Sequence, residues 1–290
     1  VPSGGGGTGG DDNDPITGLE VNADRLLIFK ERSLYRWDEA EVRFVSYDGC
    51  PNGRTIYTTG GLTFYYSLNG NGIYVYSGGK PQLISKKIQP IMDAIDKTVI
   101  IQYYGCGDYD HYYLYVGTFT LNLPDGDTQV ITNAWIIYTI STNSWYLYST
   151  PDAVRYMARW IDANNNDRVQ FGNTNGEIFT FASGTDSVFS DNTAAIPMQI
   201  RYRTPIGIPH LNKTVHKAWP LTDRAQGMTF RARADNRNWS NDWQINQNAK
   251  QIPLDLEGKI FEFEVSESSI LTPPVLNGFA FAVSQHENAI

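Results

Sequence analysis

The stretch "SLNGNGIYVYSGGK" (67–80) holds two Asn-Gly pairs, four strand-forming residues and a Gly-Gly stop. Asn and Gly accept the positive φ that tight hairpin turns need, and Ile73-Tyr74-Val75-Tyr76 suits a pleated surface. It therefore reads as the turn and second strand of a β-hairpin. Alternation sends Ile73 and Val75 to one face and Tyr74 and Tyr76 to the other. Neither set is charged, although a strand with one face in water carries polar residues there. The pattern predicts a strand covered on both sides.

The same shape recurs along the chain. "DRLLIFKERSLYRW" (24–37), "LTFYYSLNGNGIYVYSGG" (62–79), "AWIIYTISTNSWYLYST" (134–150) and "RVQFGNTNGEIFTFASG" (168–184) each read as strand, tight turn, strand. Their second strands begin near Leu34, Ile73, Trp145 and Glu177, and "DHYYLYVGTFTL" (110–121) adds a strand to the Trp145 unit. Apolar strands are expected before the hairpins, as in "ITGLEV" (16–21), "KTVIIQYY" (97–104) and "VRYMARWI" (154–161). Four short strands per roughly 35–50 residues is the spacing of a propeller blade. Blades stack face to face, so a middle strand is buried twice, and tyrosine packs its ring while its hydroxyl reaches water or backbone. A β-sandwich with exposed tyrosines on its inner strands is the competing architecture.

The expected fold is thus all-β: four β-propeller blades, near 16–45, 55–85, 98–148 and 155–204, followed by a small antiparallel β-sandwich-like domain. Residues 1–14, "VPSGGGGTGGDDND", read as a flexible Gly/Asp-rich segment. The propeller spans 15–204. Beyond it, "KTVHKAWPLT", "MTFRARAD", "KIFEFEVS" and "LNGFAFAVS" are alternating strands of the C-terminal domain, 205–290. The one helix expected is short, "KKIQPIMDAID" (86–96), with Pro90 inside it. Four blades are the tight extreme for closure, so an unclosed propeller is expected, with a face near Leu27, Phe29 and Tyr35 needing cover.

Composition bounds the function. The 290 residues are 41% hydrophobic and 13% aromatic, with 18 tyrosines, which supplies a large core. A net charge of −8 argues against a surface that coats nucleic acid. The acidity sits on residues 1–204 (15 basic against 22 acidic), whereas 205–290 carry 8 and 9. No apolar run reaches the ~20 residues of a membrane helix. Cys50 and Cys106 are too few for a disulfide framework and read as two free buried thiols, with one bridge between them as the alternative.

Catalytic patterns are sparse. The nucleophile elbow, the zincin pattern, the phosphate loop and paired C-x-x-C are all absent, and His111, His210, His216 and His286 lie at spacings that suggest no shared metal. Asp108 and Asp110, inside "YGCGDYDHYY" (104–113), are the best candidates for the carboxylate pair of a glycosidase; as plain residues they form a polar loop between strands. "DANNND" (162–167) offers oxygens from Asp162, Asn164 and Asn166 at the alternation a calcium loop uses. Asp167 stands where the turn glycine belongs, and Asn173 where the closing Glu belongs. The expectation is no catalytic residue, no cofactor and no metal.

Many of these stretches together resemble a known family. "DPITGLEVNADRLLIFKERSLYRW", "GCPNGRTIYTTGGLTFYYSLNGNGIYVYSGGKPQLISKKIQPIM", "NSWYLYSTPD", "VQFGNTNGEIFTFASG" and "IRYRTPIGIPHLNKTVHKAW" are similar to the β-propeller virion proteins of tailed bacteriophages. That family includes the tail nozzle and packaged-DNA stabilisation proteins of short-tailed phages. The resemblance covers about residues 14–220 in many weak positions. It implies a structural, non-enzymatic component of a tail or neck, assembled in the host cytoplasm into a homo-oligomeric ring with other virion proteins. The ring would retain DNA and guide its ejection, and an acidic wall would repel phosphate as DNA passes without sequence recognition. The reading from another class is a carbohydrate-binding or glycan-cleaving propeller at a cell surface, supported by the supply of tyrosine and tryptophan. A generic interaction propeller is the third.

Overall fold

The structure, a computed structural model, describes residues 13–123, 126–165, 167–181, 190–191, 194–195, 198–208, 210–224, 228–245, 251–267 and 275–286. The expected flexible segment lies outside these residues except for Asn13 and Asp14. Asp14 is buried, with its carboxylate accepting from the Arg32 amide at 2.7 Å and from the Ser33 hydroxyl. The chain is all-β with several antiparallel sheets, and it divides into two units, 1–185 and 186–290.

In the first unit each sheet is a run of consecutive strands. The first holds β1 (Ile16–Asn22), β2 (Arg25–Lys30), β3 (Leu34–Trp37) and β4 (Val42–Ser46); the second holds β5 (Tyr57–Thr59), β6 (Leu62–Ser67), β7 (Gly72–Tyr76) and β8 (Gln82–Leu83). The third is β9 (Tyr104–Gly107), β10 (His111–Asn122), β11 (Thr128–Thr139) and β12 (Ser144–Ser149), and the fourth is β13 (Val154–Ile161), β14 (Asp167–Asn173) and β15 (Ile178–Thr180). Short hairpin turns carry this order. At the 67–80 hairpin the Asn71 amide donates to the Leu68 carbonyl, and Asn71 itself takes a φ of 45°.

Three apolar clusters join consecutive sheets. Leu27, Phe29 and Leu34 of the first meet Tyr65, Tyr74 and Tyr76 of the second. Phe64, Tyr66 and Ile73 on the opposite face of the second meet Tyr112, Leu114, Ile136 and Tyr138 of the third. Tyr113, Tyr115 and Trp135 on the far face of the third meet Met157, Val169 and Phe171 of the fourth. The double burial expected for β7 is present: Ile73 packs toward the third sheet, Tyr74 and Tyr76 toward the first.

Several expectations need correction. "KTVIIQYY" is not a strand, because Lys97–Gln102 coil as a 3-10 turn capped by the Asp96 carboxylate on the Thr98 amide; extended structure resumes at Tyr104. α1 (Gln89–Ala94) is the short helix expected, but Pro90 lies at its start, where a missing amide hydrogen costs nothing. The fourth hairpin region does not reach 204. After β15, β16 (Ser190–Asp191) and β17 (Ala194–Ala195) pair with each other, and β18 (Met198–Thr204) joins a sheet of the second unit.

The second unit has β19 (Asn212–Arg224), β20 (Met228–Ala234), β21 (Trp243–Ile245), β22 (Ile252–Gly258), β23 (Phe261–Glu267) and β24 (Val275–His286) besides β18. They form two sheets, β18-β23-β20-β21 and β22-β19-β24, around one shared core. Phe230 packs on Phe279 with centroids 4.8 Å apart, and Phe263 on Phe281 at 4.5 Å, so aromatic pairs bind one sheet to the other. Among the described residues no helix is long and apolar enough to cross a membrane.

Candidate functional site

Asp108 and Asp110 are turn fasteners. The Asp108 Oδ1 accepts from the backbone amides of Asp110 (2.8 Å) and His111 (2.7 Å), and its Oδ2 accepts from the Tyr113 hydroxyl at 3.0 Å. His111 Nδ1 lies 2.9 Å from the same Oδ1. Burial works to raise the Asp108 carboxyl, but the donors of His111, Asp110 and Tyr113 outweigh it and hold it below the ordinary carboxylate range. The hydrogen bond to Asp108 in turn raises the His111 imidazole. Asp110 instead reaches across to Ser141, accepting from its amide (2.8 Å) and hydroxyl (2.7 Å). The two carboxylates share no hydrogen-bonding side chain: Asp108 is fastened within its own turn and Asp110 to Ser141.

The calcium-like loop is similarly committed. Asp162 accepts from the Asn164 amide at 2.9 Å and lies 3.5 Å from the Arg168 guanidinium. Asn166 lies outside the described residues. Among the described residues no three His, Cys, Asp or Glu side chains gather as metal ligands. Cys50 and Cys106 are free and buried; burial pushes their thiols up to about 12 and about 11, respectively, which makes them poor nucleophiles. His216 binds Asp255 (3.1 Å) and Ser284 (2.9 Å), while His286 binds Thr214, so both rings already have side-chain partners.

What the first unit does present is an apolar sheet face. On β1–β4 the cross-strand rows Leu19, Ile28, Tyr35, Phe44 and Val21, Leu26, Trp37, Val42 share one face. Leu19, Val21, Trp37, Val42 and Phe44 are between 41% and 60% exposed. The residues expected on an open face are not exposed: Leu27 and Phe29 are 0% exposed and point into the cluster with the second sheet, and Tyr35, although on the outer rows, is nearly buried.

The fourth sheet's outer side is different in character. Tyr156 and Ile178 stand 66% and 74% exposed on either side of Gly172, to which both are register partners. A cavity of about 360 Å³ opens there, lined also by Arg155, Gln170 and Glu177. Below it the buried Asn173 donates through Nδ2 to Glu177 (2.7 Å) and Asp152 (3.1 Å), and its Oδ1 accepts from the amides of Asn175 and Glu177 (2.9 Å each). From the sequence alone this stretch reads as the hairpin of the fourth blade. The signal available was Gly172 inside a strand pattern, which marks a bulge or a close approach.

The second unit carries an arginine ladder. Glu264 sits between Arg201 (2.9 Å) and Arg231 (2.6 Å), and Glu262 between Arg233 (2.8 Å) and Arg203 (3.6 Å). The guanidinium groups of Arg201, Arg231 and Arg233 lie over the Trp239 ring at 5.1, 4.8 and 4.4 Å.

The chain matches no protein-family model and no curated protein. Among solved structures it is similar to a chain described as a glycoside hydrolase, with 12% identity, 92% of this chain and 83% of the other covered, and a TM-score of 0.19. A second likeness is to the exo-beta-1,3-galactanase of Phanerochaete chrysosporium, with 7% identity, coverage of 93% and 69%, and the same TM-score of 0.19. At that score neither carries an argument about fold or activity.

Proposed function

We propose that this chain is a non-enzymatic assembly component of a bacteriophage tail or neck, whose first unit supplies the blades of a β-propeller. The observation that carries the reading is the first sheet's outer face. It is built like the buried faces of the second and third sheets, with aromatic and branched side chains in cross-strand rows, yet it lies open. Contiguous apolar surface of this kind marks a contact site in a soluble protein. The consecutive sheets, three of four strands and one of three, joined face to face, suit propeller blades. The nearest carboxylates of the aromatic loop are locked into turns, which fits a scaffold better than a catalyst. In this role the chain joins a ring with other virion proteins, which retains DNA and guides its exit.

Co-expression with portal and tail proteins of short-tailed phages, followed by affinity purification and electron microscopy, tests the reading. A ring-shaped complex containing this chain is the expected result. A stable monomer that binds none of those proteins sinks the proposal.

A further inference from the structure

We propose that the hollow over Gly172, on the outer side of β13–β15, is a binding site for one neutral pyranose unit of a glycan.

Gly172 is the starting point. A glycine inside a strand loses packing and chain entropy, and it is tolerated where another group approaches closely. Among the described residues nothing requires it: its φ is not in the left-handed region, and a Cβ built there meets only the Glu177 carbonyl oxygen, at 3.8 Å. The visible consequence of having no side chain is the cavity itself.

The neighbouring backbone is shaped to the same end. The β13–β14 register shifts between Val154 and Tyr156, which leaves Arg155 as the extra residue of a bulge. Bulges re-aim a side chain and concentrate beside binding sites; here Arg155 lines the hollow. Opposite it, Glu177 is held by the Asn173 amide, whose two donors and acceptor are already committed. The carboxylate is thus positioned before any ligand arrives.

The chemistry selects the ligand class. Tyr156 supplies an exposed aromatic ring and Ile178 an aliphatic wall, a pairing that suits the C–H faces of a sugar ring. Arg155 only donates, the Glu177 carboxylate only accepts and Gln170 does both, which matches hydroxyls that donate and accept in turn. One cation and one carboxylate in the lining cancel, so a neutral ligand is favoured over an anion. A volume of about 360 Å³ lies at the small end of ligand sites, which run from roughly 300 to 1,000 Å³. The inference does not depend on the assembly role proposed above.

The test is saturation-transfer NMR on the full chain with methyl glycosides of neutral hexoses, beside acidic sugars, with thermal melts run in parallel. At least one neutral pyranoside is expected to bind. Gly172→Val, which fills the hollow without straining the backbone, and Tyr156→Ala, which removes an exposed ring, should each weaken it by about tenfold, or ~1.4 kcal/mol. Melting temperatures should stay close to the parent's for Tyr156→Ala. Absence of any pyranoside signal, binding of acidic sugars alone, or undiminished binding by both variants overturns the proposal.

Discussion

Trp37 on β3 and Val42 on β4 are register partners on the outer face of the first sheet, and both are more than 40% exposed. Leu26 pairs with Trp37 from the other side and Val21 with Leu26, so one unbroken apolar row crosses four strands. Such a row in water favours association. The double variant Trp37→Ser/Phe44→Ser should lower the apparent mass of the purified chain in light scattering. Its melting temperature should change little, because both side chains are already half in solvent and surface changes usually stay within about 0.5 kcal/mol. Unchanged self-association would mean that the face is not a contact surface.

Interior aromatics should behave differently. Trp135 is fully buried, lies edge-on to Phe171 at 4.9 Å and donates from its indole nitrogen to the Thr150 hydroxyl at 3.1 Å. Trp135→Ala should cost about 3–5 kcal/mol in urea denaturation. Trp145 and Phe179, second-strand residues of the repeated hairpins, are only half-buried, so their alanine variants should cost less. Equal costs for Trp135 and Trp145 would show that the cluster between the third and fourth sheets does not hold the unit together.

These contrasts explain what was legible in the sequence. The hairpins could be read because turn chemistry and period-2 alternation are local, as at Asn71 and Ile73–Tyr76. The parity of the first sheet could not be read. Leu27 and Leu26 are equally apolar, and only the position of the second sheet decides which one is buried. The reach of the first unit was missed for a related reason: β18 looks like a continuing strand, but its partner β23 lies about sixty positions further on, and sequence patterns do not encode non-local pairing. The hollow at Gly172 was missed because its lining joins three strands and a bulge.

The Asp108–His111 pair predicts a pH dependence. His111 is raised in the folded state, so its contribution is complete below its unfolded value and is lost as pH rises through the folded one. Asp108 is lowered, so its contribution is present above its unfolded value and is lost as pH falls through the folded one. Both are satisfied between about pH 4 and 6.5, the unfolded values of the two groups. His111 is partly exposed, so the pair should be worth no more than about 1 kcal/mol. Urea midpoints of the parent should fall above pH 7 relative to pH 5.5, and that step should disappear in His111→Gln. An identical pH profile in the variant would rule the coupling out.

The boundary between the units gives the last prediction. Every residue of β18 from Met198 to Thr204 is in register with β23, from Glu267 to Phe261. A fragment beginning at 205 would lose that strand and turn β23 into an open edge with unpaired amides and carbonyls, an invitation to aggregate. It would also take Arg201 from Glu264 and Arg203 from Glu262, leaving Glu264 its pair with Arg231 and Glu262 its pair with Arg233. Removing a partner from a buried ion pair is costly, up to about 3–5 kcal/mol when the pair is fully enclosed and less here, where the arginines are partly exposed. Fragment 186–290 should therefore melt cooperatively as a soluble species, and fragment 205–290 should melt lower or precipitate. Restoring only the charges, by adding free arginine to 205–290, should not recover the difference, because the lost ladder of backbone hydrogen bonds is the larger part. Equal melting temperatures for the two fragments would place β18 outside the folded unit.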